Sequence, residues 1–190
     1  MRIIRSLTEV REEDRGASAA MGNFDGVHRG HRSVIDLARR AGAALGVVTF
    51  EPHPRAFFAP EAPSFRLMND ASRAHRLEKI GVDRLFALPF DAALAGLEAE
   101  VFAREVLAEG LGLSHVVVGE DFCFGKRRGG DANALKSFGD SFGFEVTIAP
   151  MLGGASGRVS SSAIREALQD GRPEAAAEML GHRHRIDGVV

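Results

Sequence analysis

Short apolar runs alternate with amphipathic segments along almost the whole chain, and this alternation limits the folds that the sequence can adopt. The runs have the length and composition of buried β-strands, and they lie at residues 17–21, 45–50, 82–88, 115–119 and 144–149. Apolar residues recur at helical spacing in the other segments, at residues 32–41, 70–80, 97–108, 131–142, 160–169 and 173–180. This order predicts an α/β fold with a five-stranded, mainly parallel sheet and helices on both faces.

Four loops of unusual composition follow the carboxyl ends of predicted strands, at residues 22–31, 51–60, 119–130 and 150–162. Ligands of open α/β sheets bind outside that edge of the sheet. We therefore expect the four loops to lie on one rim and to form the functional site.

The composition argues against several classes of protein. The 24 Lys and Arg residues against 26 Asp and Glu give a formal net charge of −2, so the chain lacks the basic surplus of a general nucleic-acid binder. No apolar run approaches the roughly 20 residues that span a bilayer. The single cysteine, Cys123, cannot form an internal disulfide, which favours a reducing compartment. We expect a cytoplasmic protein with no nucleic-acid or membrane partner, and the sequence does not indicate its oligomeric state.

The first loop, GNFDGVHRGH at residues 22–31, carries His28 and His31 in a glycine-rich turn before a predicted helix. Histidines at this spacing share one face of a helical turn. A helix N-terminus also attracts anions through its free N–H groups and its dipole. The sequence therefore indicates that both imidazoles can donate hydrogen bonds to one phosphate chain.

Other interpretations of these residues stay open at this point. Isolated histidines, such as His75 and His115, are most often exposed or structural. A His-x-x-His pair can bind zinc, although Cys123 and the distant histidines make a poor ligand set. The glycines can also serve only the turn, which lacks both the Lys-Ser/Thr of a P-loop and the spacing of a dinucleotide fingerprint.

A second string, VSSSAIR at residues 159–165, places three serines at the start of a predicted helix. One serine suffices as an N-cap, which is the purely structural interpretation. Three hydroxyl groups with free amides form a second anion site, and Arg165 lies one helical turn further on. Arg158 precedes the string, and a guanidinium there can neutralise phosphate charge.

Four strings in this order, GNFDGVHRGH, VTFEPHPR, VGEDFCFG and VSSSAIR, resemble the adenylyltransferase (FAD synthetase) module of the prokaryotic bifunctional riboflavin kinase/FMN adenylyltransferase family. The resemblance implies a Rossmann-like nucleotidyltransferase fold. It also implies an enzyme that transfers AMP from ATP to FMN, giving FAD and pyrophosphate, with Mg²⁺ bound to the ATP. No dedicated metal ligands are expected, because phosphate oxygens and water hold most of the coordination shell of Mg²⁺.

The resemblance assigns the site residue by residue. His28, His31, Ser161 and Arg165 are the expected catalytic residues. The expected ATP-binding residues are Gly22, Asn23, Phe24, Asp25, Gly26, His28, His31, Arg158, Ser160, Ser161, Ser162 and Arg165. Ser162 stands where the family usually has threonine, and it keeps the hydroxyl group.

The flavin side is assigned more loosely. The expected flavin-binding residues are Pro52, His53, Pro54, Phe57, Asp121, Phe122, Phe124 and Arg127. The phenylalanines of this set, together with Phe58, form either an isoalloxazine pocket or ordinary core. Lys126, Arg127 and Arg128 either attract the FMN phosphate or form a solvated loop.

We predict an adenylyltransferase domain over residues 1–181. Residues 182–190 resemble the start of a linker or entry strand to a riboflavin kinase domain, whose motifs do not follow, so we expect no phosphorylation of riboflavin. Two alternatives remain at this stage: an adenylyltransferase for another phosphorylated acceptor, and a non-catalytic flavin or nucleotide sensor.

Overall fold

The computed structural model describes residues 1–63, 65–151, 153–154 and 157–186. In these described ranges, six strands form one parallel sheet, in the order β1-β4-β3-β2-β5-β8, and four more form two small antiparallel hairpins. In chain order the strands are β1 (Arg2–Ile4), β2 (Ser18–Met21), β3 (Leu45–Glu51), β4 (Arg84–Pro89), β5 (His115–Gly119), β6 (Cys123–Phe124), β7 (Gly130–Asp131), β8 (Glu145–Ala149), β9 (Gly153–Gly154) and β10 (Gly157–Arg158).

Within the part of the chain that the structure describes, eight α-helices connect and follow these strands. They are α1 (Arg29–Leu37), α2 (Pro54–Phe58), α3 (Asp70–Lys79), α4 (Ala92–Ala95), α5 (Ala99–Val101), α6 (Ala132–Phe142), α7 (Ser161–Gln169) and α8 (Pro173–Leu180). Helix α5 continues directly into a π-helical segment, Phe102–Gly110, and short 3₁₀ turns lie at Leu7–Glu9, Glu12–Asp14 and Lys126–Arg128. Among the described residues, no helix combines the length and the apolar character needed to cross a bilayer.

The predicted α/β class and the parallel sheet are confirmed, but the sheet has six strands where the sequence predicts five. The missed strand is β1, which has three residues and therefore shows no periodic pattern. Tertiary contacts hold it at the sheet edge: the buried Asp14 carboxylate accepts the guanidinium of Arg84 at 2.7 Å and pairs with that of Arg2 at 3.3 Å.

Two further elements depart from the predicted pattern. The loop at residues 51–60 contains helix α2, in which Pro54 occupies the first turn and the His53 side chain accepts a hydrogen bond from the N–H of Arg55. The predicted helix at 97–108 is mostly π-helical. Its apolar side still faces inward, since Phe102, Val106 and Leu107 are buried.

The core lies on both faces of the sheet because alternate strand residues point in opposite directions. On β5, Val116 and Val118 belong to the cluster that includes the π-helical segment and α6. Val117, between them, belongs to the opposite cluster, with Ile35 of α1 and Leu77 of α3. A third cluster joins α7 and α8 to the loop before α3.

His115 is a structural histidine inside the sheet. Its Nδ1 lies 2.7 Å from the hydroxyl of Ser18 on β2, and its Nε2 lies 2.8 Å from the hydroxyl of Thr147 on β8. Both ring nitrogens of this buried side chain are therefore satisfied across three adjacent strands.

Candidate active site

The glycine-rich turn after β2, residues 22–27, has an unusual backbone. Gly26 has φ +86°, and Phe24 and Val27 also adopt positive φ angles, 50° and 42°. A left-handed conformation is costly for bulky and β-branched residues, and it persists only where the surrounding structure enforces it. The turn is therefore held by contacts from elsewhere in the chain.

The carbonyl groups of the turn supply much of that constraint. The Asn23 oxygen accepts the Thr49 hydroxyl at 3.4 Å and the Arg73 guanidinium at 3.3 Å. The Asp25 oxygen accepts the hydroxyl of Ser161 at 2.9 Å. Within the described residues, the N–H groups of residues 23–26 donate to no protein acceptor. The carbonyls of Asn23 and Asp25 thus anchor the turn, while the N–H groups of residues 23–26 are not used by these contacts.

The Asp25 side chain joins three parts of the chain. It is 4% exposed, and its Oδ1 accepts the backbone N–H groups of Leu67 and Met68 at 2.9 and 3.2 Å. Its Oδ2 accepts Nη2 of Arg165 at 2.6 Å, while Nε of Arg165 donates to the carbonyl of Phe65 at 2.6 Å. These bonds fix the turn against both the loop before α3 and helix α7.

His28 and His31, the histidine pair, lie at the start of α1. His28 is the N-cap, and its Nδ1 accepts the backbone N–H of His31 at 3.2 Å. The two rings stack with centroids 3.5 Å apart, and the Phe24 ring meets His31 edge-on at 5.2 Å. Within the described residues, the buried Nδ1 of His31 has no hydrogen-bond partner. A ligand or water molecule is needed to satisfy that atom.

The start of α7 lies beside the start of α1. Ser160 caps α7 by accepting the N–H of Ala163 at 3.2 Å. A Cβ atom on Gly30 would be 3.5 Å from the Val159 carbonyl oxygen and 3.2 Å from the His28 ring. Two helix N-termini, each with free N–H groups and a positive dipole end, thus point at one region.

A cavity of about 250 Å³ occupies that region. It opens at the carboxyl ends of β2, β5 and β8, as expected for ligand sites in such sheets. Its lining residues are Met21, Gly22, Phe24, His28, Gly30, His31, Val34, Gly119, Asp121, Phe122, Ala149, Pro150, Met151, Val159, Ser160 and Ser161.

Burial controls the charge of the histidine pair. It lowers the pKa of His28 to about 4, with the nearby Asp25 carboxylate opposing and Arg165 adding to the shift. Burial, then the neighbouring His28 and Arg165, hold the pKa of His31 well below its ordinary value. Both imidazoles are therefore neutral near pH 7 in the free protein. They can act as hydrogen-bond donors, but they carry no fixed positive charge.

The structure brings together most of the residues expected to bind ATP. The cavity lining includes Gly22, Phe24, the histidine pair, Ser160 and Ser161, while the turn residues Asn23, Asp25 and Gly26 lie outside the lining and contact other parts of the chain. Ser162 is exposed, and it does not line the cavity. Arg165 uses Nε and Nη2 for Phe65 and Asp25, so its predicted contact with phosphate stays a prediction. The side chain of Arg158 lies outside the described residues.

The residues expected to bind flavin are more dispersed. Asp121 and Phe122 line the cavity. Pro52, His53, Pro54 and Phe57 lie at the end of β3 and in α2, outside the cavity lining. Burial lowers the pKa of His53 to about 4, with the charge of Asp25 opposing the shift and that of Arg66 adding to it.

The structure bears on whether the phenylalanines are core residues and whether the basic residues at 126–128 form a solvated loop. Phe124 is buried in the core against Phe102, with ring centroids 5.7 Å apart, which favours the core interpretation. Phe58 is 69% exposed and packs edge-on against Phe57 and Phe90. Lys126, Arg127 and Arg128 are exposed, and Lys126 pairs with Glu98 at 3.2 Å.

The sequence does not predict an ion-pair network that lies next to the glycine-rich turn. Glu51, at the end of β3, accepts both terminal nitrogens of Arg66 at 2.7 and 3.1 Å and also pairs with the buried Arg73. Burial alone would raise the pKa of Glu51, but the hydrogen bonds from Arg66 and the charge of Arg73 lower it. No local spacing links these three residues, because they meet only through the tertiary fold.

Comparisons with known proteins show the family of the chain. A family model described as FAD synthetase matches residues 10–163. The chain is 41% identical to a bifunctional riboflavin kinase/FMN adenylyltransferase of Pseudomonas fluorescens, over 100% of this chain and 62% of that protein. It is 34% identical to the protein of the same description in Escherichia coli strain K12, over 100% of this chain and 61% of that protein. The chain thus spans about three fifths of these relatives' length.

Solved structures support the fold. One described as a macrolide-efflux protein from Streptococcus pneumoniae superposes with a TM-score of 0.81 at 28% identity, covering 95% of this chain and 61% of that one. A pantoate–β-alanine ligase from Francisella tularensis, described as complexed with β-γ ATP and β-alanine, gives a TM-score of 0.57 at 13% identity, over 94% and 86% of the two chains. At that identity the second likeness concerns the fold alone.

The first prediction concerns the close packing at Gly26. A Cβ atom there would lie 2.9 Å from Leu67 and 3.1 Å from Leu180, whereas Gly42 has a similar φ of +81° and no atom of the described residues within 4 Å of the corresponding Cβ position. Gly42→Ala is expected to lower the free energy of unfolding by about 1 kcal/mol, from the positive φ alone. Gly26→Ala is expected to cost about 2 kcal/mol more, because the packing must also shift. Urea denaturation checks the difference, and equal losses would contradict the tight packing.

A second prediction concerns the pH dependence of stability. Burial lowers the pKa values of His28, His31, His53 and His115 in the folded chain, so below about pH 6.5 the unfolded chain binds more protons. The free energy of unfolding should therefore fall as pH falls from about 7 to about 5. Each histidine contributes a slope of up to about 1.4 kcal/mol per pH unit.

His28→Asn is the matched variant for this measurement. An asparagine can still cap α1, but it has no group that titrates in this range. Urea denaturation at a series of pH values should give a shallower slope for this variant than for the wild type. A stability that is unchanged or increased at pH 5, or identical slopes for the two proteins, would contradict a neutral, buried His28.

Proposed function

The chain belongs to the FAD synthetase family, and we propose that it transfers the adenylyl group of ATP to FMN, giving FAD and pyrophosphate. The observation that carries the proposal is the convergence of two helix N-termini and the histidine pair on one cavity. A triphosphate matches this arrangement, because backbone amides and imidazole donors there meet a concentrated negative charge.

The reaction needs no protein base. The terminal phosphate of FMN has a second pKa near 6, as for phosphate monoesters generally, so it is mostly dianionic at about pH 7. One of its oxygens attacks the α-phosphorus of ATP, and the bond from that phosphorus to the bridging oxygen breaks. The electron pair leaves with pyrophosphate. Catalysis therefore consists of holding two anionic groups in line and stabilising the charge that develops on the leaving group.

The histidine pair supplies neutral donors for that charge. Because Nδ1 of His28 accepts the N–H of His31, the proton of the neutral His28 ring is on Nε2. We assign Nε2 of His28 and the ring of His31 to the phosphate oxygens, beside the amides of α1 and the amides and hydroxyls at the start of α7. Donors in a buried site interact more strongly with developing charge than donors in water.

The same hypothesis gives roles to the remaining predicted site residues. Arg165 and Arg158 are proposed to act on the phosphates, with Ser162 contributing a hydroxyl at the entrance. Asp121 and Phe122, which line the cavity, are proposed to contact the flavin, together with the more distant Pro52, His53, Pro54, Phe57 and Arg127. Phe124 is buried, with its ring stacked on that of Phe122 at 5.7 Å, and its contact with the flavin stays a prediction.

A divalent cation, which we propose is Mg²⁺, accompanies the ATP. Within the described residues, no group of three His, Cys, Asp or Glu side chains is placed to hold a metal, and both oxygens of Asp25 are already used by the protein. We assign the coordination of this ion to phosphate oxygens and water, and such an ion neutralises part of the triphosphate charge. We further propose a cytoplasmic location and an adenylyltransferase domain over residues 1–181.

The test is an acceptor assay with the purified chain, ATP and Mg²⁺. FMN is expected to give equal amounts of FAD and pyrophosphate, whereas phosphopantetheine and nicotinate mononucleotide give neither. His31→Ala is expected to lower kcat about 10²- to 10³-fold, in line with the loss of one transition-state donor. His75→Ala, which removes an exposed histidine, serves as the control and should leave kcat unchanged.

Three results would contradict the proposal. Transfer to a different acceptor would assign another substrate, and tight nucleotide binding without pyrophosphate release would favour a sensor. Near-normal turnover by His31→Ala would remove the histidine pair from the chemistry.

A further inference from the structure

His182 holds the carbonyl of Gly26 from outside the glycine-rich turn. Its Nε2 lies 3.0 Å from the Gly26 oxygen, and its Nδ1 lies 2.9 Å from the carbonyl oxygen of Arg183. A carbonyl oxygen only accepts hydrogen bonds, so the bond to Gly26 forms when the imidazole carries a proton on Nε2. The contact joins residues that are 156 positions apart.

The chain around His182 is packed closely against the same turn. Leu180, the last residue of α8, lies where a Cβ atom on Gly26 would approach it to 3.1 Å. Gly181 ends α8 in a left-handed conformation, and a Cβ atom there would lie 3.1 Å from the Arg29 side chain. The end of α8 therefore contacts both the turn and the first residue of α1, and it brings His182 to the Gly26 carbonyl.

The Gly26 carbonyl controls the orientation of the peptide unit that enters α1. A peptide bond is planar, so fixing the Gly26 oxygen also fixes the direction of the N–H of Val27. That N–H donates to the Phe24 carbonyl at 3.2 Å and closes the turn. The next residue, His28, is the N-cap of α1. Only Val27 therefore separates the Gly26 carbonyl from His28, so a shift of that carbonyl affects a residue that lines the cavity.

We propose that His182 is a positioning residue for adenylyl transfer: its bond to the Gly26 carbonyl holds the glycine-rich turn and His28 in the geometry that binds the triphosphate. This inference rests on the proposed function of the site. It also implies that His182, which follows the predicted domain end at residue 181, helps to hold the nucleotide site in place.

The test compares three variants of the full chain. His182→Phe keeps a ring and removes the donor, and His182→Gln keeps an N–H donor. His184→Phe is the matched control, because His184 is also half-buried and two residues further along, with no hydrogen bond, ion pair or ring contact to the turn among the described residues. Each protein is assayed for FAD formation at varied ATP concentration, with urea denaturation as the measure of folding.

His182→Phe is expected to raise the KM for ATP about fivefold, which corresponds to one hydrogen bond of about 1 kcal/mol, with a smaller fall in kcat. His182→Gln should restore most of the affinity, and His184→Phe should match the wild type. A purely structural role would lower the active fraction, and hence the apparent kcat, while leaving KM unchanged. That pattern, or identical KM values for His182→Phe and His184→Phe, would overturn the proposal.

Binding of a non-hydrolysable ATP analogue separates this inference from the proposed function. If the wild type forms no FAD, the proposed function fails. The affinity for the analogue, measured by calorimetric titration, then still tests whether His182 positions the turn for triphosphate binding. A fivefold weaker affinity of His182→Phe than of His184→Phe supports the role of His182, and equal affinities refute it.

Discussion

The site depends on one buried carboxylate, that of Asp25. It accepts the amides of Leu67 and Met68, 42 and 43 positions away, and the guanidinium of Arg165, 140 positions away. Removing any one partner leaves a buried charge or a buried donor unsatisfied, which costs more than an exposed ion pair contributes. Because of this carboxylate, a turn with several left-handed residues is held in one conformation beside the start of α7.

That conformation determines how the site can bind an anion. The turn has its carbonyls engaged by Thr49, Arg73 and Ser161, and the N–H groups of residues 23–26 donate to no protein acceptor in the described part of the chain. The stacked histidines are buried, and burial keeps them neutral. The resulting site offers many directional donors and little fixed charge, which suits a reaction in which negative charge moves from one phosphate oxygen to another.

The sequence predicts the parts of this architecture that depend on local patterns. Apolar runs identify five of the six sheet strands, and glycine, serine and histidine spacing identifies both helix starts at the rim. Non-local contacts account for what it misses: β1 is held by Asp14, and Glu51 meets Arg66 and Arg73 only in the folded chain. The sequence also suggests Arg165 as a phosphate ligand, but its bonds to Asp25 and Phe65 appear only when the tertiary structure is known.

The most direct test of the central claim is a crystal structure of the chain with a non-hydrolysable ATP analogue and Mg²⁺. We expect triphosphate oxygens within about 3.2 Å of the His28 ring, and of backbone amides at the starts of both α1 and α7. The Asp25–Arg165 pair should remain in place behind the turn. A nucleotide bound elsewhere, or bound in the cavity with its phosphates directed away from both helix starts, would contradict the account.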